Sequence, residues 1–537
     1  MNRTGIIALC LAVLLAGAGA STARQTAPLV PCAEMRGKLV EAGRIGLPTR
    51  GAQVTSATLV AAVRADPEYC RIEGSILPND RGSPPINFAL AVPSNWNGGS
   101  WHVGGAGTNG SIPSLTSTGA GSTPPGAQSL LAQGFAVFGS DSGHQGPGTA
   151  WVREREAWLN FSYEQLKKTS DTAARLLEIH RGATPARRYF SGSSQGGREA
   201  LEVVARYPAD YDGVYAHVPL AYFQGLLIDP TIKMQIQARP GAWIPPSKHG
   251  LITQEILRAC DNLDGATDGV ISNYVGCARA LDPTVANRPL RNLNCPSGAD
   301  EGDPCLSDAQ LATLNSLHGP VTYSYVLPNG QRDWPGWGPG ADVTLLSRTA
   351  PNPATGEGNF GIGAGVQRQL FGGTTDFNLY QLSLETHRPT LERISRELDV
   401  PADWSAFFAR GGKLIMVTAA ADTISNPRAQ MRLYDEVVRT NGQAAVDGAV
   451  RYYVVPHANH GGQARSASGE AQPSRWDPVR ALRGWVEGGL VPPDAPVMAA
   501  YEGQAVTMER PLCRYPRYPH FIGIDRKAAA DYACRAP

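Results

Sequence analysis

One short run constrains this chain more than any other: Arg188-Tyr189-Phe190-Ser191-Gly192-Ser193-Ser194-Gln195-Gly196-Gly197-Arg198. Gly192-x-Ser194-x-Gly196 has the spacing of a nucleophile elbow, where a strand turns sharply into a helix. The serine there sits in a strained turn, so that its hydroxyl projects while the next N–H points into the same space. Glycines two before and two after let strand and helix approach closely, because neither carries a Cβ. An apolar, strand-like run precedes Ser194 and a helix-like run, 198–207, follows it. The motif occurs once in the chain.

The surrounding rhythm agrees with that turn. Strand-like runs at 86–92, 100–103, 136–140, 188–191 and 212–218 alternate with helical spacing at 169–179, where Ala173, Ala174, Leu176 and Leu177 recur on one face. Such alternation predicts an α/β fold with a largely parallel sheet. From about 221 to 400 the pattern breaks into a Gly-, Pro- and Asn-rich stretch that holds four cysteines. It resumes with strands at 412–418 and 451–455. The expectation is therefore an α/β core interrupted by a large inserted domain: core residues 21–220, insert 221–400, core residues 401–537. Two tandem domains are the alternative.

The chain has 537 residues and a net charge of +1, so electrostatics offers nothing for nucleic acid or an anionic membrane surface. Residues 1–20 read as a secretory signal: Arg3, an apolar stretch at 6–15, then Ala18-Gly19-Ala20 as a small-residue cleavage site. A membrane anchor is the alternative, although the apolar run is short for a span, and Leu9 before Cys10 disfavours a lipoprotein site. No other segment is apolar enough to cross a bilayer. The expected location is secreted or periplasmic. Of the nine cysteines, removal of Cys10 leaves eight. An even count in an exported chain implies disulfides. Clustering favours the local pairs Cys32–Cys70, Cys260–Cys277, Cys295–Cys305 and Cys513–Cys534, though spacing alone does not fix connectivity.

A serine needs a base, and the base needs an orienting acid. In hydrolases of this architecture the chain order is Ser, acid, His. His460, in Pro456-His457-Ala458-Asn459-His460-Gly461-Gly462, is the expected base, with His457 as its competitor. Asp422 follows the 412–418 strand and is the expected acid; a helix N-cap is its other reading. Oxyanion donors are expected from the Gln195 N–H and from Gly105, Ala106 or Gly107, in a Gly-rich loop that follows a strand.

The run Cys260-Asp261-Asn262-Leu263-Asp264-Gly265-Ala266-Thr267-Asp268-Gly269-Val270 spaces three carboxylates three and four residues apart. Asp261, Asp264 and Asp268, with the carbonyls of Ala266 and Val270, could surround Ca²⁺, a hard cation that takes six to eight oxygens. The loop is not an EF-hand, since Val275 stands where the closing Glu belongs. An acidic turn without metal is the alternative.

Taken in order, the 98–110 loop, Asp141-Ser142-Gly143-His144, the Ser194 elbow, the acidic loop, Gly411-Gly412-Lys413-Leu414-Ile415, Asp422 and His460-Gly461-Gly462 resemble the tannase and feruloyl esterase family. That family includes the mono(2-hydroxyethyl) terephthalate hydrolases. The resemblance spans nearly the whole mature chain. It implies an α/β-hydrolase with a lid, hydrolysis of esters of hydroxybenzoic, hydroxycinnamic or terephthalic-type acids, and a structural calcium. It also implies that a cysteine pair usual beside the serine and histidine is replaced here by Ser193 and Gly461. Within the insert, Arg368, Phe371 and Phe377 are candidates for contacting an aromatic acyl group, each with an ordinary lid residue as its other reading. The expected partner is a small aromatic ester. Two rivals keep the same residues: a peptidase or polyester depolymerase, and a non-catalytic, calcium-dependent binding protein.

Overall fold

The computed structural model describes residues 28–285 and 288–537; the leader expected at 1–20 lies outside them. Ten strands form the central sheet: β1 (Leu39–Val40), β2 (Ala52–Val60), β3 (Tyr69–Ile76), β4 (Ile86–Pro93), β5 (Gly99–Val103), β6 (Ala136–Ser140), β7 (Arg187–Ser193), β8 (Gly213–His217), β9 (Lys413–Ala419) and β10 (Val450–Val455). Their order is β1-β2-β3-β4-β6-β5-β7-β8-β9-β10. The six strands from β6 to β10 in that order run parallel. β1 to β4 are antiparallel to their neighbours, including β4 to β6. The sheet is thus mixed, and its antiparallel flank is more extensive than a largely parallel expectation allows.

Side chains on the parallel strands alternate between two cores, as a pleated strand buried on both faces requires. Phe190, Val214, Leu414, Met416 and Tyr452 face one cluster. Tyr189, Tyr215, Ile415, Val417 and Tyr453 face the other. The first face is covered by α2 (Gln195–Arg206), through Ala200, Leu201 and Val204, and by α4 (Pro427–Asn441), through Leu433 and Val437. The second is covered by α5 (Pro478–Gly488), through Val479, Leu482 and Trp485. The antiparallel flank packs on α1 (Gln165–Arg181) through Ala173, Leu176 and Leu177. Helix starts are set locally. Asn426 caps α4 by accepting from the N–H groups of Arg428 and Ala429, with Pro427 at the first position.

After β8 the chain leaves the sheet and returns only at β9. The intervening residues form α3 (Phe223–Gln237), further short helices and two short strands, with a leucine- and isoleucine-rich core of their own. All four local disulfides are present: Cys32–Cys70, Cys260–Cys277, Cys295–Cys305 and Cys513–Cys534. Among the described residues, no helix is long and apolar enough to cross a membrane.

Candidate active site

Ser194 lies between β7 and α2 with φ 61° and ψ −118°, a left-handed position that L-residues adopt at a cost of about 1–3 kcal/mol. The glycines make the turn feasible. A Cβ on Gly192 would stand 2.2 Å from the Gly196 carbonyl oxygen, and one on Gly196 would stand 2.6 Å from that of Gly105. The second contact also shows that the Gly-rich loop after β5 lies directly against the elbow.

His460 joins Ser194 to Asp422. Its Nε2 is 2.9 Å from Ser194 Oγ and its Nδ1 is 2.8 Å from Asp422 Oδ2. In the neutral imidazole, Nδ1–H donates to the carboxylate and Nε2 accepts from the serine hydroxyl. Asp422 is fully buried, and its Oδ1 accepts from the N–H groups of Ile424 and Ser425. One carboxylate oxygen thus fixes the carboxylate and the other orients the ring. The helix after it is capped by Asn426, so the N-cap reading of Asp422 does not describe this loop.

His457 lies elsewhere. Its φ is +55°, and its Nδ1 accepts from Ile271 N–H at 3.5 Å, beside the acidic loop. Ala467 N–H also donates to the Gly269 carbonyl. The acidic loop is therefore tied to the segment that carries His460, a long-range contact the sequence did not reveal.

On the oxyanion side, Gln195 opens α2, where the first N–H groups have no intrahelical acceptor. The expectation for Gly105 needs correction. Its N–H donates to Glu199 Oε2 at 2.8 Å, which leaves the N–H groups of Ala106 and Gly107 as the loop's candidates. Glu199 Oε1 accepts from the Asn109 side chain at 2.6 Å and from Gln165 at 3.3 Å. Glu199 is buried, and desolvation raises its pKa above the usual carboxylate range. Neither Glu199 nor Asn109 was legible as a site residue.

His217 ends β8 beneath this arrangement. Its carbonyl accepts from Ser194 N–H, its Nδ1 lies 2.9 Å from Ser193 Oγ, and its ring lies 3.2 Å from where a Cβ on Gly462 would stand. It therefore stands between the elbow and the histidine loop. Burial, then the nearby His460, lower its pKa to about 4.

The insert candidates are engaged within the insert. Arg368 donates through Nε to the Phe377 carbonyl and lies over the Phe360 ring. Phe371 packs beside Val366 and Ile394, and Phe377 packs beside Met234 and Leu379. These placements fit the ordinary lid reading. Thr423 and Ile424, the residues after Asp422, line a cavity of about 210 Å³ together with Leu226, Trp337, Asp229 and Lys233 of the insert.

In the acidic loop, Asp261 accepts from the N–H groups of Asp268 and Gly269, Asp264 from those of Ala266 and Ser272, and Asp268 Oδ1 from that of Val270. Asp268 Oδ2 also pairs with buried Arg510 at 3.1 Å. Among the described residues, no three His, Cys, Asp or Glu side chains gather as a metal cluster. The donor chemistry nevertheless suits a hard cation: every candidate is an oxygen, and Asp261 and Asp264 are buried.

A sequence profile described as tannase and feruloyl esterase matches residues 70–535. An uncharacterized esterase of Agrobacterium fabrum is 33% identical, over 94% of this chain and 92% of that protein. Mono(2-hydroxyethyl) terephthalate hydrolase of Piscinibacter sakaiensis is 28% identical, over 90% of this chain and 87% of that one. The crystal structure of feruloyl esterase B from Aspergillus oryzae superposes with a TM-score of 0.74 at 21% identity, covering 92% of this chain and 98% of that chain.

Proposed function

The chain belongs to the tannase and feruloyl esterase family and is a carboxylic ester hydrolase, and on that premise we propose that it cleaves esters of aromatic acids through an acyl-enzyme on Ser194. The observation that carries this reading is the unbroken hydrogen-bonded series Ser194–His460–Asp422.

In the first half-reaction Ser194 Oγ attacks the ester carbonyl and passes its proton to His460 Nε2. Asp422 holds Nδ1–H and stabilises the imidazolium that forms. The N–H of Gln195, with that of Ala106 or Gly107, receives the developing oxyanion. His460 then protonates the departing alcohol. In the second half-reaction His460 takes a proton from water, which attacks the acyl-enzyme, and returns that proton to Ser194 Oγ as the acyl–oxygen bond breaks and the acid leaves. The insert supplies selectivity by lying over the site.

Two further readings accompany this one. The oxygens of Asp261, Asp264 and Asp268, with the carbonyls of Ala266 and Val270, would hold a structural calcium. Export to an oxidising compartment is supported by the four disulfides.

The test is a panel of hydroxybenzoate, hydroxycinnamate and terephthalate monoesters, peptides and polyesters, run with the wild type and Ser194→Ala. Turnover of aryl esters that falls about 10⁴-fold or more in the variant is expected. Preferential cleavage of peptides or polyesters would move the substrate class, and undiminished turnover by Ser194→Ala would end the mechanism.

A further inference from the structure

Arg198 lies one turn past Gln195 on α2 and is fully buried. Burying a guanidinium is costly unless its donors are met, and apolar side chains of similar volume often pack such a place as well or better. Packing alone therefore does not account for it. What a guanidinium adds is direction, through N–H donors held in a rigid planar fork. Within its own helix, Nε donates to Gln195 Oε1 at 3.1 Å and Nη1 lies 3.2 Å from Glu202 Oε1. Beyond the helix, Nη2 donates to the Phe161 carbonyl at 2.9 Å, and Nη1 to that of Ser162 at 2.8 Å and, at 3.4 Å, to that of Leu398. Phe161 and Ser162 belong to the π-helical turn Asn160–Glu164, a rare geometry that recurs at functional sites.

The fork also touches both places where the insert joins the core. Leu398 ends the helix Arg388–Leu398, the last helix of the insert, and its carbonyl is among those a helix end leaves without an intrahelical donor. Phe223 begins α3, the first helix of the insert, and its ring centroid lies 5.8 Å from the guanidinium carbon. The two crossings are tied to each other as well: Val400 N–H donates to the Ala221 carbonyl, and Gln224 N–H to Asp399 Oδ1 at 3.2 Å. One buried cation therefore connects the exit and the return of the insert with Gln195, the buried residue that opens α2.

We propose that Arg198 is a positioning residue that couples the seating of the insert to the aim of the Gln195 N–H at the oxyanion. The proposal rests on the esterase reading and adds how the insert acts on the reaction itself. An ester that fills the space beneath the insert steadies both crossings, and the guanidinium holds Gln195 in register with them.

The test measures kcat and KM per fluorophosphonate-titrated active site for Arg198→Met, Arg198→Lys, Gln195→Ala and the double variant Arg198→Met/Gln195→Ala. The substrates are the aryl ester turned over fastest in the panel and 4-nitrophenyl acetate, whose acyl group is too small to reach the insert. Glu202 keeps Arg206 as its partner at 2.6 Å, so Arg198→Met leaves no unpaired carboxylate. Arg198→Met should lower kcat on the aryl ester about 10²-fold, the scale of one lost oxyanion donor, with KM within about twofold. The loss on acetate should be smaller. Arg198→Lys, which keeps the charge without the fork, should fall between Arg198→Met and the wild type. Gln195→Ala keeps the N–H but removes Oε1 and should cost about tenfold, and the double variant should lose no more than Arg198→Met alone, because both changes cut the same link. Wild-type kcat per titrated site in Arg198→Met, whatever its Tm, would make Arg198 a packing residue and overturn the proposal. Losses that multiply in the double variant, or that are equal on the two esters, would also overturn it. Should Arg198→Met not fold, Gln195→Ala decides, and an unchanged kcat there ends the proposal. Each of these outcomes spares the esterase reading; a wild type that neither titrates nor turns over either ester would overturn both.

Discussion

Glu199 lies one helical turn beyond Gln195, and its buried carboxylate accepts from Gly105 N–H on one oxygen and from Asn109 on the other. It thereby joins the two halves of the proposed oxyanion hole, the start of α2 and the loop after β5. Glu199→Ala should lower kcat about 10²-fold, comparable to loss of one oxyanion donor. KM should change little, in steady-state kinetics normalised to titrated active sites; equal losses in protein stripped of its unfolded fraction, with KM rising instead, would assign Glu199 to ground-state binding. His217 makes a different prediction. An unfolded histidine takes a proton near pH 6.5, but buried His217 refuses it until about pH 4. Across that window the unfolded state binds more protons, so stability falls as pH falls, by up to about 3 kcal/mol from this residue. His217→Gln should therefore lose less stability than the wild type between pH 7 and pH 4.5, read as Tm at each pH. Parallel Tm curves would contradict the burial argument. Ser194, Asp422 and His460 were legible because their order and flanking turns are local signals. Glu199 was not, since a glutamate on a helix ordinarily reads as solvated surface, and only the distant loop makes it otherwise.

At the scale of elements, the elbow depends on close approach. Gly196→Ala would place a methyl group 2.6 Å from the Gly105 carbonyl, forcing the loop after β5 away. Strain of this kind costs about 1–3 kcal/mol, so a shift in the urea midpoint and a larger relative fall in kcat are expected together. Gly448→Ala, in a helix with open space around its Cα, is the control and should be neutral or slightly stabilising. The parallel strands were readable from their apolar runs, because both faces are buried. The antiparallel flank was harder. Residues of β2 alternate between buried and exposed only at first and are largely open to solvent later, so the strand carries a weak apolar signal. The acidic loop was readable as a loop, whereas its contacts to His457 and Ala467 depend on the tertiary fold.

Across the whole molecule, that loop is a junction. The Cys260–Cys277 bridge closes it, Ala467 N–H bonds to Gly269, Arg510 pairs with Asp268, and Arg526 donates to the Thr267 carbonyl. A bound calcium would therefore link the insert, the histidine segment and the C-terminal strands. Chelation should lower Tm and release close to one calcium per chain by atomic emission, with Asp264→Asn reducing the metal content. A metal-free preparation with unchanged Tm would remove calcium from the account. The insert itself was foreseeable as a break in strand–helix rhythm, but its internal contacts were not. Arg368 and Phe377, singled out for their chemistry, meet each other there. The most direct test of the central claim is labelling with a fluorophosphonate, followed by peptide mass spectrometry. The account predicts one adduct per chain on Ser194, none on Ser194→Ala, and labelling slowed at least about 100-fold in His460→Ala. Modification at another residue, or an unchanged rate in His460→Ala, would contradict it.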